Sequence, residues 1–136
     1  MTLPPVGAVV LRRRLEIAAG GLSLGLTAGV VGAVDPETSG AYPVCPFRAL
    51  TGLACPGCGS LRALHDLVHG SPMSALDHNA LFVVALVVAA LLSARAFVRP
   101  EPLVTPPWLP RAVLVVLVVW TVLRNLPMAP FAVLAP

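Results

Sequence analysis

Fifteen prolines punctuate the chain, and none of them falls inside three apolar stretches. A proline in a helix interior removes a hydrogen-bond donor, and its ring clashes with the preceding turn. Long helices therefore belong in the proline-free intervals. Pro5 and Pro36 bracket Leu15–Val34, Pro72 and Pro100 bracket Ala80–Val98, and Pro110 and Pro127 bracket Arg111–Leu126. At roughly 1.5 Å per residue, a hydrocarbon core of about 30 Å takes about 20 residues. The intervals predict an all-α integral membrane protein with three transmembrane helices, at 15–34, 80–98 and 111–126, in one domain over 1–136.

Composition removes the competitors. The 136 residues are 57% hydrophobic and 11% charged, and the mean hydropathy is +0.90. A soluble domain carries about twice that charged fraction, and a disordered chain is never this apolar. The formal charge of +3 comes from scattered arginines, without the basic stripe that tracks phosphates, so no nucleic-acid partner is expected. The expected partner is the lipid bilayer.

The three stretches differ in strength. Ile17–Val34 is interrupted only by Ser23, Thr27 and glycines, and Gly21, Gly25 and Gly29 fall at i, i+4 and i+8. Such a stripe suits close packing of another membrane helix or a second copy, although membrane helices are glycine-rich in general. Val31 and Ala33 resemble a signal-peptide cleavage site, but the apolar run exceeds the usual 7–15 residues, which favours an uncleaved anchor. Ala80–Leu92 contains no polar side-chain atom, and Arg95 and Arg99 can snorkel from its end. Ala112–Leu123 is short, so the third span needs snorkelling arginines or a thinned bilayer, and a helix partly across the membrane is its alternative.

Orientation follows from the arginines, since there is no lysine. Arg12, Arg13, Arg14, Arg95, Arg99 and Arg111 lie on one side, and Arg48, Arg62 and Arg124 on the other. The positive-inside bias puts the amino terminus (1–14) in the cytoplasm and the 35–79 loop outside a plasma membrane. The linker 99–110, five of whose residues are proline, reads as a stiff spacer. Residues 127–136 form a tail.

The 35–79 loop holds all three cysteines and all three histidines, with cysteine spacing C-x9-C-x2-C at Cys45, Cys55 and Cys58. Gly52, Gly57 and Gly59 offer turns that other residues resist. A short amphipathic helix at 61–69 is expected at the membrane surface, with Ser60 as N-cap, Leu61, Leu64 and Val68 facing lipid, and Gly70 as its stop. Its other side carries Arg62, His65, Asp66 and His69, with Arg62 and Asp66 spaced to pair. Ser71-Pro72 reads as the start of a further helix leading into the second span.

These residues resemble an uncharacterised family of small bacterial membrane proteins, the domain-of-unknown-function family 2752. The resemblance is carried by Tyr42-Pro43, Cys45-Pro46-Phe47, Thr51-Gly52, Cys55-Pro56-Gly57-Cys58-Gly59, Arg62-Ala63, His69-Gly70, Ala75, Asn79 and Arg124-Asn125-Leu126-Pro127. It covers roughly residues 36–131. Ala80 departs from it, standing where proline is expected. The resemblance implies a membrane location and brings no activity with it.

Three readings of the cysteines stay open. Cys45, Cys55 and Cys58 could bind zinc, with His65 or His69 as a fourth ligand, because CPxCG is the turn used by zinc knuckles. Cys55 and Cys58 could instead form the CxxC of a membrane thiol–disulfide oxidoreductase, activated by the helix that follows. The thiols could also be purely structural. Arg62, Asn79, Arg124 and Asn125 fall near the same outer face and are expected either to form a polar pocket for an anion or lipid headgroup, or to snorkel. The leading expectation is a non-enzymatic module that binds a metal or stabilises a partner-binding site. An oxidoreductase, or an accessory subunit of a larger membrane complex, is the alternative.

Overall fold

The computed structural model describes residues 6–99 and 105–126. The start of the amino-terminal arm, residues 100–104 of the linker, and the tail with Pro127 lie outside the described residues. Five helices follow in order: α1 (Val6–Ala33), α2 (Pro46–Thr51), α3 (Ser60–Val68), α4 (Pro72–Val98) and α5 (Leu109–Arg124). The described chain is all-helical.

Two of these helices are long and apolar enough to cross a membrane, α1 over Gly7–Ala33 and α4 over Pro72–Val98, each with almost none of its apolar surface buried in the protein. Their outward leucines, such as Leu22, Leu26 and Leu91, are exposed. α1 starts earlier than the span expected at 15–34, so the arginine triplet is helical. Arginine is a good helix former, and Arg12 Nε pairs with Glu16 Oε1 at 2.9 Å one turn on. Arg14 lies 5.3 Å over the Phe97 ring. The start of α1 therefore meets the end of α4, and the two run antiparallel.

The third expected span, 111–126, is not found. α5 has 16 residues, a rise of about 24 Å, because Pro106 and Pro107 precede it and the helix gives out at Asn125. That falls short of an ordinary hydrocarbon core.

α3 packs against its neighbours with only part of the apolar face expected at 61–69. Ala63 and Leu64 are buried, because α3 packs on α4 and α1, whereas Leu61 and Val68 stay partly exposed. Contact with α1 is close: a Cβ on Gly32 would come within 2.9 Å of Val68 Cγ1. The N-cap of α3 is Gly59 rather than Ser60. The end of α1 is tied down by side chains from the loop. Tyr42 donates its hydroxyl to the Val34 carbonyl at 3.0 Å, and His65 Nδ1 lies 2.8 Å from the Val31 carbonyl, supplying partners for carbonyls that find no donor at a helix C-terminus.

α4 breaks once. Asn79 has extended backbone (φ −162°, ψ 87°) inside the helix, and its Oδ1 accepts the Phe82 N–H at 3.1 Å. Asn79 thus caps the apolar segment that begins at Ala80. Ser71 and Pro72 start the short segment before it.

Candidate metal centre

The site is built from two turns. Cys45 precedes Pro46, whose fixed φ suits the first position of α2. α2 ends at Gly52, a left-handed residue at φ 73°. The chain then enters Cys55-Pro56-Gly57-Cys58, closed by Cys58 N–H to the Cys55 carbonyl and Ser60 N–H to the Gly57 carbonyl, both at 3.1 Å. Gly59 turns the chain into α3. Its φ is +80°, and a Cβ there would stand 2.6 Å from the His78 carbonyl oxygen, so this position accepts only glycine. Gly57 needs no such freedom, because its φ is not positive. A Cβ there would sit 3.9 Å from Cys55 Sγ, in ordinary contact.

The turns bring three free thiols together. Cys45 Sγ lies 3.5 Å from Cys55 Sγ, Cys55 Sγ lies 3.2 Å from Cys58 Sγ, and all three fall within 4.8 Å of one another. The Cys55 amide points at Cys58 Sγ at 3.3 Å. The environments of the thiols differ. Burial, reinforced by the neighbouring Cys58 thiol, pushes the Cys55 pKa up to about 11. The backbone amide of Arg48, followed by the Cys55 thiol, holds Cys45 below its ordinary value.

Three polar side chains hold the second turn from behind. Asn79, 1% exposed, places Nδ2 within reach of the Pro56 and Cys58 carbonyls and Ser60 Oγ, at 3.0 to 3.1 Å. Arg124, equally buried, donates Nη1 to the Cys58 carbonyl at 2.7 Å and Nη2 to the His78 carbonyl at 3.1 Å. Asn125 pairs with both backbone groups of Ala54. These three side chains are spent on positioning the loop. Arg62 is not with them. It faces Glu37 at 4.0 Å rather than Asp66, whose Oδ2 lies 3.4 Å from His78 Nε2.

The two helix histidines sit apart from the sulfurs. His65 turns to the end of α1, and His69 Nδ1 lies 2.8 Å from the His65 carbonyl, with the two rings 4.2 Å apart. Among the described residues, the potential ligand set contains the three cysteines and neither histidine.

Residues 45–93 match DUF2752, a family described as protein of unknown function. The DUF2752 match takes in all three cysteines, Gly52, Gly57, Gly59, Arg62 and Asn79, and ends before Arg124 and Asn125. It is shorter than the 36–131 resemblance expected from the motif. No curated protein and no solved structure matches the chain. Two residues of this region went unremarked in the sequence as site residues. Arg48 is signalled only by its place three residues after Cys45, and Ser60 serves as an acceptor for Asn79 rather than as a cap.

Proposed function

We propose that the protein is a small membrane module that binds one thiophilic metal ion, zinc by preference, through Cys45, Cys55 and Cys58. The observation that carries this is the convergence of three unbridged sulfurs within 4.8 Å. Zinc–sulfur bonds of about 2.3 Å in a tetrahedron put sulfurs about 3.8 Å apart, so small side-chain adjustments close the site. The CPxCG turn and the Arg124 cation behind Cys58 support the same reading, since three thiolates around a divalent ion carry one net negative charge. The fourth position is left to water or an external ligand rather than to His65 or His69. Metal analysis of the full chain purified in detergent tests this. One metal per chain, lost in Cys45→Ser, Cys55→Ser and Cys58→Ser, is expected. Metal well below one per chain in the wild type overturns it.

In this reading α1 and α4 cross the bilayer with the amino terminus in the cytoplasm and the cysteine turns outside. α5 serves as a third, short crossing. Its last residues, Arg124 and Asn125, bond the second cysteine turn, and Arg111 at its other end is placed to snorkel.

A second reading, thiol–disulfide exchange with a membrane partner, is favoured by the 3.2 Å separation of Cys55 and Cys58. The two thiols would become a disulfide, passing two electrons and two protons to a partner's disulfide. The raised pKa of Cys55 argues against its serving as the attacking thiolate. Alkylation trapping that finds a Cys55–Cys58 disulfide in cells would favour this reading over the metal.

A further inference from the structure

The end of α3 carries two histidines one turn apart. The His69 amide closes that turn on the His65 carbonyl at 3.1 Å, which sets both side chains on one face of the helix. Their rings stand 4.2 Å apart, tilted by 35°. His65 is half-buried and His69 is exposed.

Each ring has one nitrogen spent. His65 Nδ1 lies 2.8 Å from the Val31 carbonyl, and His69 Nδ1 lies 2.8 Å from the His65 carbonyl. A carbonyl only accepts, so both Nδ1 atoms carry the hydrogen and both Nε2 atoms keep a lone pair. Among the described residues, neither Nε2 has a hydrogen-bond partner. A metal-ligating histidine is held in this way, with its other N–H on a carbonyl that fixes the tautomer and the ring.

The local field favours a cation. Asp35, whose carboxyl is held low first by the Glu37 amide and then by the Thr38 hydroxyl, also feels His65. The carbonyl end of α3 adds partial negative charge. Arg62, on the preceding turn, faces Glu37.

We propose that Nε2 of His65 and Nε2 of His69 together bind a nitrogen-preferring divalent transition-metal ion, copper(II) first, at a site separate from the three sulfurs. Bonds of about 2.0–2.1 Å, as zinc makes to imidazole, need the two nitrogens about 3 to 4 Å apart. Small rotations of the exposed His69 side chain bring rings this close to that spacing. Copper(II) heads the affinity order of the first-row divalent ions for such ligands, whereas thiolates select zinc or copper(I). One equivalent of zinc therefore goes to the sulfurs. Copper(II) on the histidines clamps the end of α3 at the point where His65 holds the end of α1.

The test removes the sulfurs. The full chain carrying Cys45→Ser, Cys55→Ser and Cys58→Ser, in detergent and without a histidine tag, is titrated with copper(II) and read by electron paramagnetic resonance. One ion per chain, with splitting from two imidazole nitrogens, is expected. His65→Gln and His69→Gln should each weaken binding about tenfold or more, because loss of a ligand's outer partner alone costs about that much. His78→Gln should leave it unchanged. This chain has no thiols, so the outcome is independent of whether the sulfurs hold metal. A second measurement does not depend on the serine chain folding: the untagged wild-type chain is run on an immobilised nickel(II) column. Retention that imidazole releases and that His69→Gln abolishes is expected, and His69 is exposed enough for its replacement to spare the fold. Copper(II) without two-nitrogen splitting in a folded chain, or equal retention of the wild-type and His69→Gln chains, overturns the proposal.

Discussion

Asn125 and Ala54, 71 residues apart in sequence, pair like neighbours in a sheet: the Ala54 N–H donates to Asn125 Oδ1 at 2.8 Å and Asn125 Nδ2 returns a bond to the Ala54 carbonyl at 2.9 Å. Ala54 is buried, so both of its backbone groups depend on this one side chain. Together with Arg124 on the Cys58 carbonyl, the pairing makes the end of α5 part of the cysteine site.

Asn125→Ala should therefore strand two buried backbone groups, at about 1–3 kcal/mol each. Thermal unfolding in detergent should fall by that amount. Hydrogen exchange should rise at residues 54–58 and along the last turn of α5 together. Exchange that rises at only one of the two would separate the elements.

Much of this was legible in the sequence, and the misses have physical causes. Proline spacing and apolar runs report local helix formation, so the two long helices and their polar loop could be read directly. Pairing in space leaves no such trace. Arg62, Asn79, Arg124 and Asn125 share one predicted depth, and depth alone cannot tell that three are spent on the loop backbone while Arg62 faces Glu37. The amphipathic pattern of α3 does not tell which apolar residue meets what: Ala63 and Leu64 are buried as α3 packs on α4 and α1, while Leu61 and Val68 stay exposed. His65 and His69 had helical spacing suited to a shared ligand. The carbonyls waiting at the end of α1 and within α3 itself engage one nitrogen of each.

The two central glycines should respond differently to the same substitution. Gly59→Ala adds a side chain to a left-handed residue and drives its Cβ toward the His78 carbonyl, at a combined cost of about 2–5 kcal/mol. Gly57→Ala meets only an ordinary contact with Cys55 Sγ and should change the unfolding midpoint little. Equal losses for the two would contradict the turn geometry.

The break in α4 predicts a tolerated proline. Ala80 is the first residue after the Asn79 cap, where proline fits and where the preceding extended residue suits it. Ala80→Pro should leave stability unchanged or raise it by up to about 1 kcal/mol. Asn79→Ala should lower it, by about 1 kcal/mol for the cap and further for the loop carbonyls left without a partner. A helix that ran straight through Asn79 would give the opposite order for Ala80→Pro.

Thiol reactivity in metal-free protein should be ordered by environment. The thiolate is the reactive form, so Cys45, held low by the Arg48 amide, should be alkylated before Cys55 as pH is raised from neutrality. Cys55 should lag until pH approaches about 11. Bound metal must displace the Cys55 proton, so metal affinity should fall as pH is lowered. Mass spectrometry of iodoacetamide-treated protein across pH checks the order, and alkylation of Cys55 before Cys45 would contradict it.

X-ray absorption at the zinc edge of the purified, metal-loaded full chain tests the account most directly. Three sulfur scatterers at about 2.3 Å with one lighter atom completing the shell are expected, unaltered in His65→Ala and His69→Ala. A shell of nitrogen and oxygen alone, or one that loses nitrogen in either histidine variant, would contradict it.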